Sequence, residues 1–210
     1  KLNDKSLYDL IAPTIFILIG LYGAVNHSLW RDEMQGWAVA WRSHSLLELW
    51  KNNAPSGHPV LWSLLIYLFK NITDSSLSMS LLHWFLGCCS ITLFWKFSPF
   101  GRLQKTLFIF GYFPFWEYYF ISRHYVIAQL LIFLFCCTYK YRSRTYIISA
   151  LIIGLLANTH ALAWSLAFPC GLVMTFELFN NQSIKRNILI RDWKKFDLCL
   201  SLLIAISLLI

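Results

Sequence analysis

The stretch 10–29, LIAPTIFILIGLYGAVNHSL, is largely apolar and leads directly into a charged turn, Trp30-Arg31-Asp32-Glu33. About 20 residues in helical form are enough to cross the hydrocarbon core of a bilayer. The stretch therefore predicts a membrane-spanning helix that ends beside two adjacent carboxylates. Further apolar blocks follow along the chain, with short charged segments between them. This alternation predicts an all-α fold, a polytopic transmembrane helical bundle of about seven or eight spans.

The composition also indicates a membrane protein. Of the 210 residues, 58% are hydrophobic and 13% are charged. A disordered chain needs the opposite balance, and a soluble domain of this length could not bury so much apolar surface. The net charge of +8 comes from basic residues between apolar blocks, which is typical of cytoplasmic loops and not of a nucleic-acid interface. The six cysteines lie in apolar stretches, so neither a zinc site nor disulfides are expected.

Residues 30–57 interrupt the apolar pattern with two amphipathic pieces. Apolar residues recur at helical spacing, first at Met34, Trp37, Ala38 and Trp41 and then at Leu46, Leu49 and Trp50. The pattern predicts two amphipathic surface helices in the first outer loop, because tryptophan favours the membrane interface.

The basic loops set the expected orientation of the chain. We expect the cytoplasmic segments to be 96–105, 140–144 and 180–197, and the outer segments to be 117–124 and 158–162. If the alternation holds, residues 30–57 are also outside, but full crossing by both the short apolar segment 59–71 and the next span would put them on the side of 96–105. One solution is that segment 59–71 does not cross fully, and the sequence leaves this open. The chain begins at Lys1 and stops inside an apolar run at Ile210, so we expect it to be part of a longer protein.

Two polar clusters near the first span are candidates for chemistry. Asp32 and Glu33 could supply a general base or hold a cation beside the membrane, or they could cap the first surface helix. The turn Ser56-Gly57-His58-Pro59 could bind an anion through free backbone N–H groups at a helix start, or it could be a plain turn.

Two further clusters lie later in the chain. Arg123 falls on the side away from the basic loops, where its guanidinium could bind a phosphate, or it could pair with Glu117 in an aromatic belt. His160 belongs to the polar triplet Asn158-Thr159-His160 at the end of another apolar segment. The triplet could carry chemistry, or it could simply lie at the membrane interface, as polar residues at helix ends often do. Together the clusters suit a reaction between a lipid-bound phosphate and an acceptor outside the membrane.

The ordered motifs resemble those of GT-C superfamily glycosyltransferases that use polyprenyl-phosphate sugars, such as the protein O-mannosyltransferases of glycosyltransferase family 39. The matching stretches are WRDEMQGW, GHPVLW, FGYFPFWEYYFISRHYVIAQLL with an R-x-Y at 123–125, and ANTHALAW. The resemblance covers roughly residues 10–180. It implies that residues 1–180 form a GT-C-like transmembrane catalytic module. Residues 181–210 would be a basic cytoplasmic loop and the start of a further transmembrane helix.

The resemblance implies an inverting single displacement in which an acceptor hydroxyl attacks the anomeric carbon of the lipid-linked sugar. Asp32 would deprotonate the acceptor, and Glu33 would position the acceptor or support Asp32. The donor phosphate would be bound by Arg123, Gly57 and His58. The remaining pocket residues would be Glu117, Tyr125, His160 and Trp30. Where many relatives carry an arginine before the third span, this chain has Ser80, so one contact is missing or relocated.

The expected partners are the polyprenyl-phosphate-sugar donor, membrane lipid, and a glycan, lipid or protein acceptor, with no nucleic acid. A divalent cation near Asp32 and Glu33 is the one cofactor that the adjacent carboxylates suggest. The expected location is a bacterial plasma membrane, with the active site facing outside. One alternative is a non-catalytic membrane scaffold subunit or degenerate homologue. The other is a lipid or solute transporter, although the sequence shows no internal repeat of the kind many transporters have.

Overall fold

The computed structural model describes residues 4–73, 75–141 and 146–180. Every regular element in these residues is helical, which confirms the all-α prediction. The chain divides into two compact units, Lys1–Leu130 and Leu131–Ile210. The expected division at residue 180 puts its second part, 181–210, outside the described residues.

The first unit holds most of the helices. In chain order these are α1 (Asp4–Asn26), α2 (Arg31–Arg42), α3 (Leu46–Asn53), α4 (Leu61–Phe69), α5 (Leu77–Phe97) and α6 (Arg102–Ile109). A π-helix follows at Tyr112–Glu117, and α7 (Tyr125–Thr138) starts in this unit and continues into the second. The second unit also contains α8 (Ile147–Ala157) packed against α9 (Trp164–Asn180).

Two helices in the described part of the chain are long and apolar enough to cross a membrane, Leu7–Asn26 within α1 and Leu77–Phe97, which is α5. The two pack against each other. The outer face of α1 is apolar, and its residues Leu10 and Leu18 are 61% and 59% exposed. An exposed apolar face of this length is costly in water and favourable in lipid. The larger count of seven or eight spans is not confirmed, because the other apolar helices are shorter.

The buried ring of Tyr119 packs between α1 and α5. Tyr119 lies where a side chain at Gly20 or Gly87 would collide with its ring. The ring stacks on the fully buried Phe16 with centroids 4.1 Å apart, and its hydroxyl lies 3.3 Å from the Cys88 sulfur. Burial, with the Cys88 contact, raises the pKa of the Tyr119 phenol above its usual range, so the hydroxyl stays protonated. The missing side chains at two glycines therefore create the slot that holds the segment before α7.

Helix α4 stays beside α2 and α3 along its whole length. At its start, the Ser63 hydroxyl donates to Asn53 Oδ1 at 2.6 Å. Just past its end, Lys70 Nζ donates to the backbone oxygen of Ala40 in the last turn of α2 (3.0 Å) and to that of Ser43, the residue after α2 (2.6 Å). Its 9 residues rise only about 13 Å, less than half of a bilayer core. Contacts with the α2–α3 pair at both ends of α4 favour a segment 59–71 that does not cross the membrane fully, and this stays a prediction.

The two predicted amphipathic helices are present as α2 and α3. Trp37 and Leu49 are buried, while Trp41, Leu46 and Trp50 are exposed. Trp37 and Trp41 nevertheless stack, with ring centroids 5.3 Å apart. The apolar stripe read from the sequence therefore divides into an inner part that packs on α4 and an outer part that remains open.

We predict that Gly87→Ala destabilises the protein, because the added methyl group would displace the Tyr119 ring. The expected loss is about 1–3 kcal/mol, typical of an overpacked core. Thermal unfolding of the detergent-solubilised chain measures it. Gly171→Ala is the control, since nothing lies within 4 Å of the added methyl group there. Equal unfolding temperatures for the two variants would contradict the role of Gly87 in making room for the Tyr119 ring.

We also predict that Lys70→Met destabilises the chain by about 1–3 kcal/mol, because two carbonyls at the end of α2 lose their donor. Lys51→Met, at an exposed position on α3, serves as the control and should change stability little. The same unfolding measurement applies. A loss no larger than that of the control would show that the Lys70 contacts do not hold α4 in place.

Candidate functional site

Glu33 lies in the first turn of α2 and is almost fully buried, with 1% of its surface exposed. Its Oε2 accepts a hydrogen bond from the Trp30 backbone N–H at 2.7 Å and lies 3.1 Å from His27 Nε2. Its Oε1 accepts from the Ser122 backbone N–H at 2.6 Å. A buried carboxylate requires such donors, and these three occupy both oxygens. Glu33 thus caps α2, which is the alternative to a chemical role that the sequence offered for Asp32 and Glu33. It also connects the start of the helix to the segment 118–124.

Asp32 is placed quite differently from its neighbour. Its side chain is 61% exposed, and its Oδ2 lies 3.5 Å from Arg123 Nη1. The Arg123 guanidinium also lies over the Tyr125 ring, 5.2 Å from its centroid. The ion pair of Arg123 is therefore with Asp32, whereas the sequence offered Glu117 as its alternative partner. A long ion pair open to water is worth little, so a bound anion can replace the carboxylate beside Arg123.

Asp32 and Arg123 line one pocket in the first unit. The other lining residues come from α2, α4 and the chain around them: Gln35, Gly36, Val39, Asn53, Ser56, His58, Pro59, Trp62, Ser63 and His124. One wall is thus acidic, from α2, and one is basic, from the segment before α7. A pocket with a carboxylate and a guanidinium facing the same space can accept a proton and bind an anion at once.

The Gly57-His58 turn differs from the prediction. Gly57 has a left-handed φ of 67°, and its N–H donates to Ala54 O at 3.3 Å. The His58 N–H donates to Ser56 Oγ at 3.1 Å, and the His58 carbonyl accepts from the Asn53 amide at 2.7 Å. The prediction of free backbone donors at these two residues is therefore wrong. Gly57 shapes the turn without lining the pocket, and His58 contributes its side chain.

His124 is a pocket residue that the sequence reasoning missed. It is 6% exposed, and its ring centroid lies 5.1 Å from that of His58 and 4.5 Å from that of Tyr125. Local sequence carried only a weak signal, a histidine between Arg123 and Tyr125 in the R-x-Y match. Its neighbour in the pocket is 66 positions away in the chain, and only folding brings the two imidazoles together.

The remaining predicted pocket residues are not among those that line it. Trp30 is exposed and contributes its backbone N–H to Glu33. Glu117 is half-buried at the end of the π-helix. Tyr125 contacts Arg123 and His124, which are two of the residues that line the pocket. His160 lies in the second unit, where its Nδ1 is 3.0 Å from Thr159 Oγ1. Its place in the pocket remains a prediction.

The expected divalent cation is not tested by the structure. Within the described residues, no group of three or more His, Cys, Asp and Glu side chains is arranged to hold a metal ion. Since both Glu33 oxygens already accept hydrogen bonds, Asp32 is the carboxylate of the pair that could still contact a cation. A cation near this pair stays a prediction.

No protein-family model, curated protein or solved structure matches the chain. The likeness to GT-C glycosyltransferases therefore depends on the ordered motifs alone.

We predict that Glu33→Gln lowers the stability of the chain by about 1.5–3 kcal/mol, because the new amide NH2 would face a hydrogen-bond donor in a buried site. Glu48→Gln is the matched control, since Glu48 also caps a helix start but is solvent-accessible and accepts from the His44 N–H at 2.8 Å. Thermal unfolding compares the two. A loss that is equal in both variants would contradict a special role for the buried carboxylate.

Proposed function

We propose that this chain is the membrane module of a glycosyltransferase that moves a sugar from a polyprenyl phosphate to an acceptor at the outer face of the membrane. One observation carries the proposal: Asp32 and Arg123, separated by about 90 residues of chain, line the same pocket 3.5 Å apart. Transfer from a lipid phosphate needs a base for the acceptor and a cation for the leaving phosphate. The pocket offers one of each.

The proposed reaction is a single displacement. Arg123 binds the donor phosphate through its guanidinium, which suits phosphate oxygens. The exposed carboxylate of Asp32 takes the proton of the acceptor hydroxyl as its oxygen bonds to the anomeric carbon. The bond between that carbon and the phosphate oxygen breaks, and its electron pair stays on the phosphate. Attack from the face opposite the phosphate inverts the configuration of the sugar.

Glu33 supports this chemistry without touching substrate. Its hydrogen bond to the Ser122 N–H holds the residue next to Arg123, and its bond to the Trp30 N–H holds the start of the helix that carries Asp32. Both reacting groups are therefore positioned by one buried side chain. This is the kind of supporting contact that precise placement of a site requires.

The two ends of α1 support the proposed orientation. Near its start, Asp9 forms a two-point ion pair with Arg102, at 2.9 and 2.6 Å, close to the basic residues that follow α5. Its other end leads to His27 and the Glu33 contact. A helix of 23 residues is about 35 Å long, so the pocket and the basic loop are separated by roughly a bilayer. Basic loops are favoured in the cytoplasm, and this preference supports an outward-facing pocket.

The test compares Asp32→Asn with Arg123→Gln in proteoliposomes that hold the full protein and labelled hexosyl polyprenyl phosphates. Asp32→Asn should abolish transfer while leaving donor binding unchanged or tighter, because Arg123 loses its competing carboxylate. Arg123→Gln should weaken donor binding about tenfold, as expected for a lost charge-assisted contact. Glu48→Gln is the control.

Each outcome separates the rival functions. Unchanged transfer by a folded Asp32→Asn protein would refute Asp32 as the base. Donor binding and movement across the membrane without any transfer would favour a transporter. Tight binding of a partner protein without donor binding would favour a scaffold subunit.

A further inference from the structure

The proposed reaction converts the phosphodiester of the donor into the phosphate monoester of the leaving lipid, and the charge of the pocket does not match the charge of both. Arg123 contributes one permanent positive charge, and Asp32 contributes one negative charge 3.5 Å away. The donor is a phosphodiester with a single negative charge. The leaving lipid phosphate is a monoester, whose second ionisation occurs near pH 6, so it approaches two negative charges at neutral pH. Once Asp32 has taken up the acceptor proton, Arg123 can match one charge of the product, and the second charge has no permanent partner in the pocket.

Two imidazoles lie in the same pocket. His58 comes from the turn before α4, and His124 from the residue before α7. Their ring centroids are 5.1 Å apart, His58 is open to solvent, and His124 is 6% exposed. Imidazole is the side chain whose charge ordinarily changes near neutral pH.

Other charged and titratable groups lie around the pair. Asp32 on α2 and Arg123 line the pocket with it. Tyr125 packs against His124 on its far side. His83 on α5 lies behind Trp62, with ring centroids 6.0 Å apart. None of these groups adds a second permanent positive charge.

We propose that His58 and His124 together form the second cationic half of the phosphate site, and that in a cationic form they bind the phosphate monoester in preference to the diester. The inference rests on the proposed function. During transfer the acceptor proton passes to Asp32, and the electron pair of the broken bond passes to a phosphate oxygen. The protonated pair donates a hydrogen bond to that oxygen as its charge grows, which stabilises the transition state and the leaving group.

The test measures binding of two probes to the full chain in detergent: farnesyl phosphate, a monoester, and its methyl ester, a diester with the same lipid. Calorimetry in buffers with different ionisation heats counts the protons taken up near neutral pH. The wild-type protein should bind the monoester about tenfold more tightly than the diester, with proton uptake for the monoester only.

His124→Gln and His58→Gln should each weaken monoester binding about tenfold and abolish the proton uptake that accompanies it. A thermal unfolding temperature close to that of the wild type shows that the variants fold. His44→Gln, at an exposed position between α2 and α3 and outside the pocket, is the control and should behave as wild type.

The outcomes separate the inference from the function on which it rests. If wild type shows no preference, or if His124→Gln keeps it, the histidine pair is not part of the phosphate site. The proposed function survives that result provided that Arg123→Gln weakens both probes. If neither probe binds to wild type, both proposals fail.

Discussion

The buried carboxylate of Glu33 is the interaction on which the first unit depends most. It collects donors from His27 just after α1, from Trp30 at the start of α2, and from Ser122 before α7. A carboxylate with 1% exposure is tolerated only if such donors replace its water. Loss of any donor would leave charge unsatisfied in the interior. Because the buried carboxylate would be strongly destabilising without these donors, the single side chain of Glu33 holds three chain segments in one arrangement.

A second constraint holds the same region from the other side. Tyr119 fills the slot at Gly20 and Gly87, four residues before Arg123. The segment that carries Arg123 is thus fixed by an aromatic ring in the α1–α5 interface and by the Glu33 contact to Ser122. Because both contacts are buried, Arg123 projects from a rigid base although it lies in a loop. Supporting contacts of this kind are what a side chain on a loop needs for precise placement.

The remaining wall of the pocket depends on α4. Its hydrogen bonds to Asn53 at one end and to carbonyls at the end of α2 at the other keep it on the α2–α3 pair. Trp62 on this helix faces the pocket, and Asn53 fixes the His58 carbonyl beside it. The short length of α4 and the shape of the pocket are therefore consequences of the same packing.

The sequence by itself determined the all-helical fold, the apolar character of α1 and α5, the amphipathic α2 and α3, and the identity of Asp32 and Arg123 as candidates. These features depend on local periodicity and on residue type, which are visible without folding. Only the tertiary structure decided which of two adjacent acids is buried. Successive helical residues point about 100° apart, so Glu33 turns inward and Asp32 turns toward the pocket. The partnered N–H groups of Gly57 and His58, the course of α4 and the meeting of His58 with His124 were likewise settled by folding, because each depends on contacts that no local pattern encodes.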